Sequence, residues 1–100
     1  MIMREVTVTI APGKRDDYWT WARDIVQLWD SNSVTRAGGP YRLREEDQDV
    51  AVWLTLHENM AEIEAEFRTL YSDGVGKTLI EQRPPLVAET TVAYYDEWPF

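Results

Sequence analysis

The chain has no cysteine, which excludes disulfides, zinc–thiolate centres and thiol nucleophiles. It has one histidine, and one imidazole among scattered carboxylates makes no metal-ligand constellation. No Ser-His-Asp arrangement is convincing with that single candidate base and no nucleophile elbow. Positive charge is also scarce: ten Lys and Arg are dispersed among eighteen Asp and Glu, for a formal charge of −8. A phosphate backbone needs a stripe of Lys or Arg, so nucleic acid is excluded as a partner, and an anionic membrane surface is disfavoured for the same reason. No apolar run approaches the ~18 residues that cross a bilayer. Met1-Ile2-Met3-Arg4-Glu5 does not have the form of a signal peptide, and the expected location is the cytoplasm. A phosphate-cradling loop is missing too. Gly74-Val75-Gly76-Lys77-Thr78 ends in Gly-Lys-Thr but lacks the P-loop spacing, and it follows a helical segment where a strand should stand. Neither a flavin nor a nicotinamide fold is visible, so no cofactor and no metal are expected.

What the chain does have is aromatic mass. Five Trp, five Tyr and two Phe occur in 100 residues, within an ordinary apolar fraction of 44% and a charged fraction of 28%. Aromatic side chains supply large burial per residue, and they also line ligand pockets and interfaces. The length gives one soluble domain, residues 1–100. A domain of this size buries under about 70% of its unfolded surface, so association would add stability.

Four segments alternate with period two, the signature of strands. Glu5 to Ile10 puts Val6, Val8 and Ile10 on one face and Glu5, Thr7 and Thr9 on the other. Val50 to His57 puts Val50, Val52, Leu54 and Leu56 against Ala51, Trp53, Thr55 and His57. Tyr41 to Arg44 is a shorter strand, and Leu86 to Tyr95 a longer one rich in Val, Thr and Tyr. Glu45-Glu46-Asp47-Gln48-Asp49 reads as a hairpin turn between the second and third strands. Two segments have helical spacing. After Pro12-Gly13, the stripe Tyr18, Trp21, Ala22, Ile25, Leu28 and Trp29 predicts a helix from about Lys14 to Ser31, with Asp16 and Asp17 favoured by the dipole of its first turn. A second helix opens at Asn59 with Glu62 three residues on, carries the stripe Met60, Ile63, Phe67, Leu70 and Tyr71, and stops at Gly74. A short helical turn over Gly76–Glu81 precedes Pro84-Pro85.

The order βαββαβ in one sheet gives an α+β, ferredoxin-like fold: a four-stranded antiparallel sheet of order 4-1-3-2 with the helices on one face. The apolar sets beginning at Val6 and Val50 are expected to meet the helices. Trp53, Thr55 and His57 are then expected on the other face, with Glu5, Thr7 and Thr9.

The first strand running into Pro12-Gly13-Lys14, the Trp-rich helix after it, Gly38-Gly39-Pro40-Tyr41-Arg42-Leu43, the strand through Trp53 and the helix opening Asn59-Met60-Ala61-Glu62 together resemble the dimeric α/β-barrel superfamily. The layout is similar to its NIPSNAP-like and antibiotic-biosynthesis-monooxygenase-like branches over nearly the whole chain. The resemblance implies a homodimer closed through the open sheet faces, with a small-molecule cavity between sheet and helices or within the barrel. It also implies the activities of that superfamily: cofactor-independent monooxygenases, polyketide and other cyclases, haem-binding enzymes, and members with no known reaction. The haem-binding branches are expected to offer a ligand on a helix, whereas His57 closes a strand.

His57 is the one side chain whose ordinary pKa lies near neutrality, hence the acid/base candidate; the alternative is a capping or surface histidine. The expected strand pairing sets it beside Thr9, with Glu89 on the far side of Thr9, roughly 10 Å away across two strand spacings. Arg42 and Arg44 are expected to share the face of Trp53 and to hold a carboxylate, an enolate or a phosphopantetheine, or else to pair with Glu5, Glu45 or Glu46. Trp53 with Trp19 or Tyr71 offers an aromatic wall for a planar ligand, or simply core, and Thr55 and Thr9 offer polar contacts within it. Asp96 to Phe100 is a polar-aromatic tail that either clamps a partner subunit or frays. The resulting expectation is a small-molecule enzyme, a cyclase or cofactor-independent oxygenase acting on an aromatic or polyketide-like intermediate. The alternative is a non-catalytic ligand-binding or accessory homodimer.

Overall fold

Alternating β-branched segments and an aromatic stripe at helical spacing assemble into one sheet with its helices on one side. The computed structural model describes residues 1–44 and 49–97. The elements run β1 (Ile2–Ile10), α1 (Arg15–Ser31), β2 (Tyr41–Arg42), β3 (Val50–His57), α2 (Met60–Tyr71), α3 (Gly74–Gln82) and, after a short 3-10 turn at Pro84–Leu86, β4 (Val87–Asp96). All pairings are antiparallel and the sheet order is β2-β3-β1-β4, which is the expected 4-1-3-2 read from the other edge. The expected hairpin turn over Glu45-Glu46-Asp47-Gln48 and the end of the aromatic tail, Trp98-Pro99-Phe100, lie outside the described residues.

The register corrects one expectation. Val6 stands opposite Trp53 and Val8 opposite Ala51, so the face of β1 that carries Val6, Val8 and Ile10 is continuous with Ala51, Trp53, Thr55 and His57. All seven are buried. Val50, Val52, Leu54 and Leu56 lie instead on the open face with Met3, Glu5, Thr7 and Thr9, and all four are half-buried. Alternation tells which residues share a face but not which face is covered, and a shift of one residue inverts the whole set. Both faces of β3 are apolar enough to be buried. The choice falls to the larger Trp53, which the aromatic stripe of α1 covers.

Helix α1 turns Tyr18, Trp21, Ala22, Ile25 and Trp29 onto the sheet, all buried. It has no side-chain cap at Lys14, and Asp16 and Asp17 stabilise its first turn through the dipole. At the start of α2 the Asn59 side chain accepts the backbone N–H of Glu62 at 2.8 Å, a cap worth about 1 kcal/mol. Ile63 is buried and Phe67, Leu70 and Tyr71 pack on the core, while Met60 is exposed. The short helical turn expected after Gly74 is a full helix, α3, packed on α1 and α2. Trp21 Nε1 donates to the Leu79 carbonyl at 2.8 Å and ties α1 to α3.

Gly76 explains the glycine spacing of the Gly-Val-Gly-Lys-Thr segment. It is buried against the end of α2, where a Cβ would run into the Leu70 carbonyl oxygen. The glycine serves close backbone packing rather than phosphate binding. Gly76→Ala should lower stability by about 1–3 kcal/mol, as overpacking does, seen as a lower denaturant midpoint at unchanged slope. An unchanged midpoint would show that α3 can move off α2 at little cost.

Candidate functional site

The side chains that α1 and α2 turn toward the sheet do not fill the space beneath them. A cavity of about 380 Å³ remains between the helices and the strands. Its floor is Val6 and Val8 of β1, Trp53 of β3 and Thr90 of β4. One wall is Tyr18, Trp21, Ile25 and Trp29 of α1, and the other is Phe67 and Tyr71 of α2 with Ile80 of α3. Arg4 and Arg83 complete the lining, and among the described residues no carboxylate or imidazole is part of it. A larger groove of about 780 Å³ runs along α2 and α3, but it has no aromatic side chain and carries Glu62, Glu66 and Asp73. Six aromatic rings and two guanidiniums make the smaller cavity the better-formed ligand site.

Two hydrogen bonds set its polar character. Trp53 Nε1 donates to the Tyr18 hydroxyl at 2.8 Å, and Trp29 Nε1 donates to the Tyr71 hydroxyl at 2.8 Å. An indole N–H can only donate, while a phenol both accepts and donates. Each tyrosine oxygen is therefore occupied as an acceptor. Among the described residues, neither gives its proton to an acceptor. The rings are locked edge-on, with Trp29 and Trp53 at 5.2 Å and Trp21 and Trp53 at 6.4 Å between centroids. Phe67 stacks on Tyr71 at 6.0 Å.

Burial raises the pKa of both phenols. For Tyr18 the bond from Trp53 and the charge of Arg83 oppose that rise; for Tyr71 the bond from Trp29 and the charges of Arg4 and Arg83 do so. Both side chains are therefore neutral donors at physiological pH, not phenolates.

The structure brings together only part of the expected site. Trp53 and Tyr71 line the cavity beneath the helices, Trp53 from the face expected to be open. Thr55 lies on the same covered face but is engaged by His57, whose Nε2 is 2.7 Å from its Oγ1. Trp19 is half-buried and packs edge-on against Tyr18 at 5.4 Å, outside the lining, and its indole N–H has no partner. His57 is 2% exposed, with Nδ1 3.2 Å from Glu66 Oε2. An Nδ1–H donated to Glu66 and an Nε2 accepting from Thr55 satisfy both nitrogens, and the ring is not part of the cavity wall. The expected neighbours of His57 are also corrected. It stands opposite Ile2 at the start of β1, while Thr9 pairs with Val50 and Glu89 at the other end. Thr9 and Glu89 are exposed and lie on the open face, so they do not flank a ligand with His57. Arg42 stands opposite Ala51 and so shares the face of Trp53, but on the outermost strand, where it is exposed; Arg44 is exposed as well.

The residues that sequence reasoning missed are Arg4, Tyr18, Trp21, Trp29, Phe67 and Arg83. Arg4 was within reach, because it is in phase with Val6, Val8 and Ile10, and a charged residue on a buried face needs a reason. The α1 stripe predicts a helix by its spacing, but its Tyr and Trp also bring polar atoms that aliphatic residues would not. Arg83 precedes Pro84-Pro85 in a non-periodic segment and carried no signal.

No family model and no curated protein sequence matches the chain. Solved structures do. An uncharacterised NIPSNAP domain protein from Burkholderia xenovorans superposes with a TM-score of 0.83 at 13% identity, over 100% of this chain and 97% of that one. A NIPSNAP family protein from Agrobacterium tumefaciens gives 0.80 at 15% identity, over 99% and 94%. An antibiotic biosynthesis monooxygenase gives 0.71 at 13% identity, over 99% and 100%.

The raised phenols couple stability to alkaline pH. A neutral acid whose folded pKa exceeds its ordinary value of 10.0 contributes stability that is complete below that value. It is lost as pH rises through the folded value, because the unfolded chain releases the proton first. Stability should therefore fall above pH 10, and the fall should be shallower in Tyr18→Phe/Tyr71→Phe. In an ultraviolet tyrosinate titration the same variant should lose two tyrosines from the most alkaline limb. Loss from the earlier limb instead would mean that the cavity is fully hydrated.

At these identities the likeness is one of fold: the chain has the ferredoxin-like fold of NIPSNAP domain proteins and antibiotic biosynthesis monooxygenases.

Proposed function

We propose that the chain is a small-molecule enzyme acting on a planar aromatic or polyketide-like compound in the cavity between sheet and helices, by cyclisation or cofactor-independent oxidation. The observation that carries this reading is the pair of phenol donors, each fixed by an indole and each with its proton uncommitted, inside an aromatic wall. Planar rings fit between Trp29, Trp53 and Phe67. A carbonyl oxygen placed at Tyr18 or Tyr71 accepts their O–H. As the substrate loses an adjacent C–H proton to water, the charge that develops on that oxygen strengthens those same bonds. Donors fixed beforehand stabilise such an enolate without reorganising. The enolate carbon then closes on a second carbonyl of the same molecule or reacts with dioxygen.

His57 has a different part in this reading. It joins β3 to Glu66 on α2 and so holds Phe67, whose ring is 5.6 Å from the imidazole, against the cavity. His57→Ala should lower the melting temperature and leave the pH profile of turnover in place.

A second reading, a non-catalytic ligand carrier, is favoured by one specific observation: among the described residues no carboxylate or imidazole lines the cavity to act as a base. The two readings part on one experiment. The chain is incubated in air with a hydroxylated anthrone, binding is followed by calorimetry and product by chromatography. The enzyme reading expects turnover that falls about 10²–10³-fold in Tyr71→Phe, the loss typical of an oxyanion donor. Binding without product assigns the carrier, and the absence of binding sinks both.

The homodimer belongs to the same proposal. The open face presents a central row of half-buried apolar residues, Val50, Val52, Leu54 and Leu56, beside Met3, Glu5, Thr7 and Thr9 of β1. Apolar area left on a sheet face marks a surface for association. A second copy of the same face covers it symmetrically. Light scattering at micromolar concentration should give twice the chain mass, and Val52→Glu/Leu54→Glu should give monomer. A wild-type monomer would overturn the dimer while leaving the cavity intact.

A further inference from the structure

The aromatic walls by themselves suit either an uncharged ring system or a cation, since Trp and Tyr faces attract positive charge. With eighteen acidic against ten basic residues in the chain, a cationic ligand would be the natural expectation. The charged side chains of the lining point the other way. They are Arg4 and Arg83, and among the described residues the lining holds no Asp or Glu.

The two guanidiniums are only partly engaged. The Arg4 guanidinium lies 4.9 Å from the centroid of the Phe67 ring, which occupies a face and leaves its N–H edge available. Arg83 Nη2 donates to Thr90 Oγ1 at 2.7 Å, and the rest of its fork is unused by that bond. Among the described residues neither arginine makes an ion pair, nor do Arg23, Arg42 and Arg44, but those three are exposed to water. Arg4 and Arg83 are both half-buried. A guanidinium withdrawn from water and left without a carboxylate is poorly compensated, and an anionic ligand supplies what is missing.

The two sit at different levels of the sheet. Arg4 belongs to the row with Thr55 and Tyr94, and Thr90, which holds Arg83, belongs to the row of Val8. The rows are four residues apart, roughly 13 Å along the strand, with Val6 and Trp53 between them. Both side chains nevertheless reach the lining of the one cavity.

From this we infer that the ligand is an aromatic anion: a planar ring system bearing a carboxylate, with the rings between the indoles and the carboxylate held by Arg4 and Arg83. The inference deepens the cavity reading above and rests on it. It gives the substrate a fixed direction, because the anionic end is recognised by charge-assisted bonds and the ring end only by shape.

Three matched probes test it by calorimetry: naphthalene carboxylate, the corresponding carboxamide and the naphthyl trimethylammonium cation. The carboxylate should bind about ten-fold or more tightly than the carboxamide, the difference expected for bonds between charged groups. Arg4→Gln and Arg83→Gln should each erase most of that preference while leaving carboxamide affinity within about two-fold. Retained carboxamide binding shows that the variants are folded. Equal binding of carboxylate and carboxamide, or preference for the cation, overturns the anion inference and leaves the cavity reading standing. Binding of none of the three overturns the cavity reading and this inference with it.

Discussion

The pairing of Val6 with Trp53 fixes everything that follows. It determines that the indole of β3 points toward the helices and that Val52 and Leu54 point away from them. In the neighbouring register the covered face would receive only aliphatic side chains from β3, and Tyr18 would lose its donor. With Trp53 inside, the core acquires an N–H that must be satisfied, because an unpaired buried donor costs roughly 1–3 kcal/mol. Tyr18 supplies the acceptor. The same logic pairs Trp29 with Tyr71 and Trp21 with the Leu79 carbonyl. The buried tyrosines are thus required by the buried tryptophans, and the free phenol protons follow from that requirement.

Much of this architecture was legible in the residues. The strands at Val6 and Val50, the α1 stripe and the Asn59 cap all follow from period and cap chemistry, and they lead to the observed order β2-β3-β1-β4. The covered face of β3 was not legible. Val50, Val52, Leu54 and Leu56 outrank Ala51, Thr55 and His57 in hydrophobicity. A rule based on hydrophobicity alone therefore buries the wrong set. What reverses the order is Trp53 under the aromatic stripe of α1, and the mutual satisfaction of Thr55, His57 and Glu66, which involves a residue on another element, lets the two polar side chains follow it inside. The site was legible only in part for a related reason. Trp53 and Tyr71 could be singled out as aromatics on regular elements, but their roles depend on Trp29 and Tyr18, and a stripe is read as core until its polar atoms are counted. Arg42, Arg44 and Glu89 were chosen for their chemistry, and their position at the margin or on the open face removes them from the cavity.

His57 shows why chemical type alone is a weak guide to a site. It is the natural titrating group of the sequence, yet its two nitrogens are occupied within the core and a shell of protein separates it from solvent. An acid/base group has to reach the atom that gains or loses a proton. The cavity side chains that can meet a ligand's oxygen are hydroxyls and guanidiniums. They stabilise negative charge and do not remove protons. A reaction there depends on a substrate that is already acidic, which fits compounds whose carbonyl groups activate the carbon between them.

The persistence of an open cavity in so small a domain has a mechanical origin. Aliphatic side chains at the same positions would change rotamer and close the space, since interiors otherwise pack to near-crystalline density. Here the indoles of Trp29 and Trp53 are each fixed at the N–H end by a phenol on a helix, and each meets its neighbour edge-on rather than in parallel. Moving either ring inward breaks a buried hydrogen bond, and moving Tyr18 or Tyr71 breaks the same bonds from the other side. Collapse is opposed at the walls by hydrogen bonding.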